Sequence, residues 1–142
     1  MDASPDTRLA EQLARHVAGG SSASAIADEI VAIWREIDRS LTPIIAAQGC
    51  ALLYQRSLHR TSASFPWLSE AYTSAQSPMD LPALHSALVR QDPATVAAAG
   101  HASLSGFRLQ LAGLIGASLT EFLLRSAWTH PHRDTPAQDL TQ

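Results

Sequence analysis

The chain has 142 residues, a net charge of −3 and only 16% charged side chains. This length suits one domain that buries its core without a metal or a disulfide. The ten Lys and Arg positions are all Arg and are scattered, and the balance is acidic, which argues against a nucleic-acid surface. The apolar neighbours of Cys50 predict a small buried side chain rather than a reactive thiol.

Composition also bears on origin and location. The chain lacks Lys and Asn and is rich in Ala, which is typical of a GC-rich bacterial genome. The first turns mix charged residues with Ala and contain no apolar signal segment. The uncharged stretch between Arg39 and Arg56 is interrupted by Pro43, whereas a membrane span needs about 20 apolar residues. We therefore expect a bacterial cytoplasmic protein that does not cross a membrane.

Helical spacing predicts the first elements. Residues 5–18 form a polar helix that ends at a glycine pair. Because its apolar side is small, we expect residues 1–20 to be loosely attached to a bundle domain over 21–128. Ser21 or Ser22 caps a second helix over about 22–41, whose apolar residues recur every three or four positions.

The next predicted helix is the centre of the bundle. Thr42-Pro43 begins this helix, or a kink, and the segment runs to about residue 61. It is apolar nearly all round, which is typical of a mostly buried helix. Residues 62–80 are rich in turn residues and have room for one short helix near 67–75.

Two acidic caps predict the remaining helices. Asp80 caps a short helix, and Asp92 followed by proline opens the longest one. Gly113 and Gly116 predict a break near 113–117, after which Ser118 caps a last helix to about Trp128. The buried stripe predicted for the longest helix is Val96, Gly100, Leu104, Phe107, Leu111 and Leu114.

Strand signals are almost absent, so the fold class predicted is all-α. We expect a compact antiparallel bundle of five or six helices around residues 43–60 and 94–128. The polar, Pro-containing residues 129–142 predict a disordered tail. The side chains expected to be buried are Trp34, Leu52, Leu53, Leu104, Phe107, Leu111 and Leu123.

Two segments, 43–60 and 114–128, repeat a pattern. Each has a branched apolar pair, a Leu-Leu pair and then Arg-Ser. The pattern is either a true duplication or the restricted alphabet of two core helices, and we favour the second because alignment requires a one-residue gap. Neither alternative predicts catalysis.

The segment GHASLSG at 100–106 resembles the histidine phosphotransfer domain, a four-helix bundle with an exposed phosphoacceptor histidine. On a helix, His101, Ser105 and Arg108 share one face. That family typically places Gly four residues after the His and a cation just before the Gly, whereas here Gly106 follows His101 by five. The resemblance implies a signalling relay with His101 as the phosphoacceptor.

Few other residues point to chemistry. Arg56, His59 and Arg60 lie at the end of the central helix, where cations favour the helix dipole or contact an anion. His130 and His132 are too few for a stable metal site, so we predict no metal and no cofactor.

Catalytic patterns are equally thin. The central segments contain no paired carboxylates, no phosphate-binding glycine loop and no nucleophile motif. Glu121 and Arg125, four residues apart, are typical of a helix-stabilising pair. We therefore predict no catalytic residues and no enzymatic activity.

The loop SASFPWLSEAY holds the partner-binding candidates Phe65, Trp67 and Tyr72. Pro66 favours an extended Phe65, which predicts that the Phe65 and Trp67 rings point to different sides. Exposed aromatic side chains would anchor a partner. The alternative is that Trp67 and Leu68 pin the loop to the bundle.

These observations predict a non-enzymatic interaction or regulatory module. It would act through a protein partner or self-association, with no nucleic acid and no membrane. Two alternatives stay open: a phosphoryl relay that uses His101, and a bundle that binds a small apolar ligand.

Overall fold

The computed structural model describes the backbone of residues 5–129 and the side chains of residues 8–125. Within these ranges the chain is all-helical, with six α-helices and no strand, which confirms the predicted fold class. Except for the backbone of Thr129, the tail predicted at 129–142 lies outside the described residues, as do His130 and His132. The helices are α1 (Pro5–Ala18), α2 (Ala23–Thr61), α3 (Glu70–Thr73), α4 (Leu81–Val89), α5 (Pro93–Ile115) and α6 (Ala117–Thr129), with a 3₁₀ turn at Pro66–Ser69.

Side-chain caps set three of the helix starts. Ser22, Asp80 and Asp92 each accept a hydrogen bond from the backbone N–H three residues further on, at 3.1–3.2 Å. Ser118 is not a cap, contrary to the prediction, because α6 already begins at Ala117. Gly116 ends α5 at a φ of 94°, a conformation that glycine adopts without strain, and α6 follows directly.

α2 consists of two helical stretches that run in different directions. Its backbone leaves the helical region at Ala46, with φ 70° and ψ 159°. In a straight helix Trp34 and Tyr54 would lie about 30 Å apart, yet their ring centroids are 4.8 Å apart. The chain therefore folds back on itself, which gives a first arm (23–45) and a second arm (47–61). The predicted helix boundary is real, but it lies at Ala46, three residues after Pro43.

An aromatic cluster joins the two arms to α5. Trp34 is fully buried and packs edge-on against Tyr54 and against Phe107, whose ring centroid lies 5.1 Å away. Such pairs stabilise by about 0.5–1.5 kcal/mol beyond their buried area. α2 packs most extensively on α5, so this cluster lies at the main helix–helix contact of the bundle.

Most of the predicted core is confirmed. Five of the seven expected side chains are buried, but Leu52 is 55% exposed and Leu123 is only half-buried. Leu114, expected on the buried stripe of α5, is 65% exposed. The second arm and the end of α5 each bury one side only, and the remaining side faces a pocket. The confirmed residues are Trp34, Leu53, Leu104, Phe107 and Leu111.

α1 contributes to the same core. Leu9 and Leu13 are fully buried, and the helix packs chiefly on α5. These contacts do not measure how firmly α1 is held, so the loose attachment predicted for residues 1–20 stays a prediction.

Candidate functional site

A pocket of about 780 Å³ opens between the second arm of α2, α3 with the loop after it, and the end of α5. We call it the α2–α5 pocket. Volumes of about 300–1,000 Å³ are typical of ligand sites. Its lining is Leu52, Leu53, Tyr54, Gln55, Arg56, His59, Arg60, Ala71, Tyr72, Ala75, Pro78, Gln110, Gly113 and Leu114.

One part of this lining is apolar and accessible. Leu52 comes from the second arm and Leu114 from the end of α5, and both are more than half exposed. Gly113, next to Leu114 in the chain, also lines the pocket, and a Cβ atom there would meet no heavy atom of the described residues within 4 Å. The glycine therefore leaves space beside Leu114 for an incoming group.

The other part of the lining is basic. Arg56, His59 and Arg60 are exposed and share one face of the second arm. Among the described residues, no acidic side chain lines the pocket. Within the part of the chain that the structure describes, Arg56 and Arg60 form no ion pair. A chain with a net charge of −3 thus presents a locally cationic surface here.

Two acids of the segment that follows the second arm, Glu70 and Asp80, have other partners. Glu70, at the start of α3, forms an ion pair with Arg90. The Asp80 carboxylate accepts hydrogen bonds from the backbone N–H groups of Gln76 and Ala83. Neither carboxylate forms an ion pair with Arg56 or Arg60, although the Asp80 charge is close enough to act on Tyr54 of the pocket lining.

Polar contacts hold the pocket walls in place. The Tyr72 ring lies 5.9 Å from the His59 ring, and its hydroxyl is 3.2 Å from the Ser62 hydroxyl. The Gln55 amide donates to the Pro78 carbonyl, which ties the loop after α3 to the second arm.

A second polar contact lies between α2 and α5. The Gln110 amide donates to the Ser57 hydroxyl at 2.9 Å, and Ser57 is fully buried. This bond links the second arm to the end of α5, so both helix walls of the pocket are positioned by hydrogen bonds as well as by packing.

Two buried groups near the pocket favour their neutral forms. Burial, and secondarily the Asp80 carboxylate, raises the pKa of Tyr54 far above its usual range. Its hydroxyl finds no hydrogen-bond partner among the described residues. Burial, with the Asp38 carboxylate adding to it, raises the pKa of Cys50 to about 12. Because the thiolate is the nucleophile, the raised pKa favours a structural rather than a reactive cysteine.

The three aromatic candidates lie in two different places. Tyr72 lines the α2–α5 pocket, whereas Phe65 and Trp67 do not. The prediction that the latter two rings point to different sides is wrong. Their centroids lie 6.1 Å apart in an edge-on arrangement, and both pack against the core. Phe65 has φ −131° and ψ 77°, which falls short of the extended conformation expected before Pro66, and the 3₁₀ turn that follows brings Trp67 back toward it.

His101 lies in a different place, an apolar groove of about 400 Å³ between α1 and α5. Its Nε2 atom is 3.3 Å from the Ser105 hydroxyl. Arg108, the cation expected beside it, lies 3.6 Å from Glu121 of α6. Glu121 thus contacts a residue of another helix, whereas the sequence predicts only its pair with Arg125 within α6. The relay function stays a prediction.

The described residues contain neither a metal-ligand cluster nor a membrane-spanning helix. No three His, Cys, Asp or Glu side chains cluster as metal ligands between residues 8 and 125. Among the described helices, none combines the length and hydropathy needed to span a bilayer. No protein-family model matches the chain, and it has no significant match among curated proteins or among solved structures.

The structure brings Arg56, His59, Arg60 and Tyr72 into one pocket, although they were predicted as two separate sites. The sequence reasoning missed Leu52 and Leu114, because both were assigned to the core. The available signal was the second arm itself: a helix that is apolar all round and carries arginines near its end has more apolar surface than one core contact requires.

Proposed function

We propose that this chain is a non-enzymatic binding module of the bacterial cytoplasm that docks a partner protein in the α2–α5 pocket. The observation that carries the proposal is the exposure of Leu52 and Leu114 on the wall of a concave surface. Large apolar side chains around a cleft are typical of protein interaction sites. A regulatory role follows if the partner is itself an enzyme or a receptor.

A different protein is favoured over a second copy of this chain. In a twofold dimer the same patch meets itself. Such a dimer would bring two cationic surfaces, each with Arg56, His59 and Arg60, into one interface, and like charges across an interface cost free energy.

Site-specific cross-linking tests the docking surface. A photo-reactive phenylalanine analogue replaces Leu52 or Leu114, and the control position is Leu109, an exposed leucine of α5 that does not line the pocket. We expect cross-linked partner in extracts of the source bacterium from the two pocket positions only. Cross-links from Leu109 alone, or unchanged partner capture by Leu52→Asp and Leu114→Asp, would refute the docking surface.

A small amphiphilic ligand is the second candidate. Its support is the pocket volume of about 780 Å³, which suits a drug-sized molecule. Titration calorimetry with dodecanoate and with dodecanol tests it. Binding that is lost in Leu114→Asp would favour the small ligand. A heat signal no greater than the heat of dilution would rule this candidate out.

A further inference from the structure

We infer that the segment entering the α2–α5 pocket is an acidic amphipathic helix of the partner protein. This inference rests on the proposed function and adds the chemistry of the partner. It depends on the arrangement of charge and apolar surface along one helix face, which neither the docking proposal nor the predicted sites include.

The arrangement is linear. Leu52, Arg56 and Arg60 follow one another at four-residue spacing on the outer face of the second arm, so the row is about 12 Å long. His59 lies beside the cationic end of the row. A partner segment that lies along the second arm therefore contacts the apolar Leu52 first, and Arg56 and Arg60 one and two helical turns further on.

The opposite wall accommodates a helix. It is formed by the end of α5, with Leu114 exposed and Gly113 presenting no side chain. Two helices separated by a cleft, with a glycine on one of them, resemble the grooves in which amphipathic helices bind through anchors at helical spacing.

Charge complementarity selects the acidic class. Among the described residues the pocket lining contains Arg56, His59 and Arg60 but no carboxylate, while Glu70 pairs with Arg90 and Asp80 accepts from backbone N–H groups. A partner helix with leucine-type anchors followed by Glu or Asp would pair its carboxylates with the two arginines. A basic helix would bring like charges together at the same place.

Fluorescence anisotropy with three labelled peptides tests this inference. Each peptide has about 16 residues, a length at which helices begin to form, and the same leucine pattern. The remaining positions carry Glu, Gln or Lys. We expect the Glu peptide to bind about tenfold or more tightly than the other two at low salt, and to weaken as salt is raised.

A charge-reversed variant of the protein provides the decisive comparison. The double variant Arg56→Glu/Arg60→Glu should prefer the Lys peptide, whereas Arg35→Glu, an exposed arginine outside the pocket, should behave as the wild type. Both changes are on exposed positions, and circular dichroism checks that the variants are folded. A preference that does not reverse overturns the inference.

Other outcomes separate this inference from the docking proposal. Equal binding of all three peptides, still lost in Leu114→Asp, would overturn the acidic partner and leave the pocket as a docking surface. Failure of the Glu peptide to bind also overturns the inference, while cross-linking from Leu52 and Leu114 decides the docking surface separately. Tighter binding of dodecanoate, or a concentration-dependent dimer abolished by Leu114→Asp, would assign the pocket to a small amphiphile or to a second copy.

Discussion

Phe107 is fully buried at the contact between α5 and both arms of α2, with its ring edge-on to Trp34. We expect Phe107→Ala to lower the free energy of unfolding by about 3–5 kcal/mol, because it removes buried apolar surface and leaves a cavity. Urea denaturation measures the change. A loss below about 1 kcal/mol would contradict the assignment of this side chain to the core.

Leu52→Ala is the matched comparison. Leu52 also lies on a central helix, but more than half of it is exposed. The same truncation to Ala should change the free energy of unfolding by less than about 0.5 kcal/mol. A large loss would mean that the side chain is buried and that the pocket wall is formed differently.

Tyr54 makes stability depend on alkaline pH. Its folded-state pKa is raised by burial and by Asp80, so the folded protein keeps the proton while the unfolded chain releases it above about pH 10. The stabilisation is complete below that pH and is lost as pH rises, by about 1.4 kcal/mol per pH unit. Cys50, raised to about 12, adds a fall of the same sign that begins near its ordinary value of 9.0.

Tyr54→Phe isolates the tyrosine contribution. The buried hydroxyl has no partner among the described residues, so its removal should leave stability at pH 7 unchanged or raise it by about 1 kcal/mol. Urea denaturation at pH 8, 10 and 11 should show a shallower fall for the variant. Parallel curves would show that Tyr54 ionises normally in the folded protein.

At the scale of the element, two of the three glycines of α5 have opposite requirements. A Cβ at Gly100 would lie 2.2 Å from Cδ1 of Ile30, whereas a Cβ at Gly106 would meet nothing within 4 Å. Gly100→Ala should therefore destabilise by about 1–3 kcal/mol, because α2 and α5 must move apart or Ile30 must leave its rotamer.

Gly106→Ala is its control. Alanine is the better helix former by about 1 kcal/mol and has space here, so this variant should be stabilised. Thermal unfolding of the two variants measures both effects. The close approach of α2 and α5 at Gly100 would be refuted if both substitutions raised the melting temperature.

Ala46 determines the course of α2. Its φ of 70° and ψ of 159° fall in a region that essentially only glycine occupies, at a cost of about 1–3 kcal/mol for other residues. Ala46→Gly should raise the free energy of unfolding by about 1 kcal/mol. Ala47→Gly, at an exposed helical position, should lower it by about 0.5–1 kcal/mol. An equal loss of stability in Ala46→Gly and Ala47→Gly, measured by urea denaturation, would show that α2 does not turn at Ala46.

At the scale of the whole molecule, α1 tests whether the bundle unfolds as one unit. Leu13 is fully buried and the helix packs on α5. If α1 is integral, Leu13→Ala should lower the free energy of unfolding by about 2–5 kcal/mol in a single transition. If residues 1–20 are loosely attached, α1 should open separately, and its amides should exchange faster than those of α5.

Local signals in the sequence determined the helices and most of their ends. The caps at Ser22, Asp80 and Asp92 require only a side-chain oxygen and a backbone N–H three residues away, so they could be predicted from the order of residues. The all-α class and the burial of Phe107 followed from helical periodicity in the same way.

Tertiary structure decided which apolar residues stay exposed and which polar residues meet. Leu52 and Leu53 are adjacent in one apolar helix and both line the pocket, yet Leu53 is buried and Leu52 is more than half exposed, a difference set by the elements packed around the second arm. Tyr72 joins Arg56 and Arg60 because the loop folds back along the second arm. Helical periodicity gives the direction in which a side chain points from the helix axis. Burial depends on which other element covers that direction, and this element comes from elsewhere in the chain.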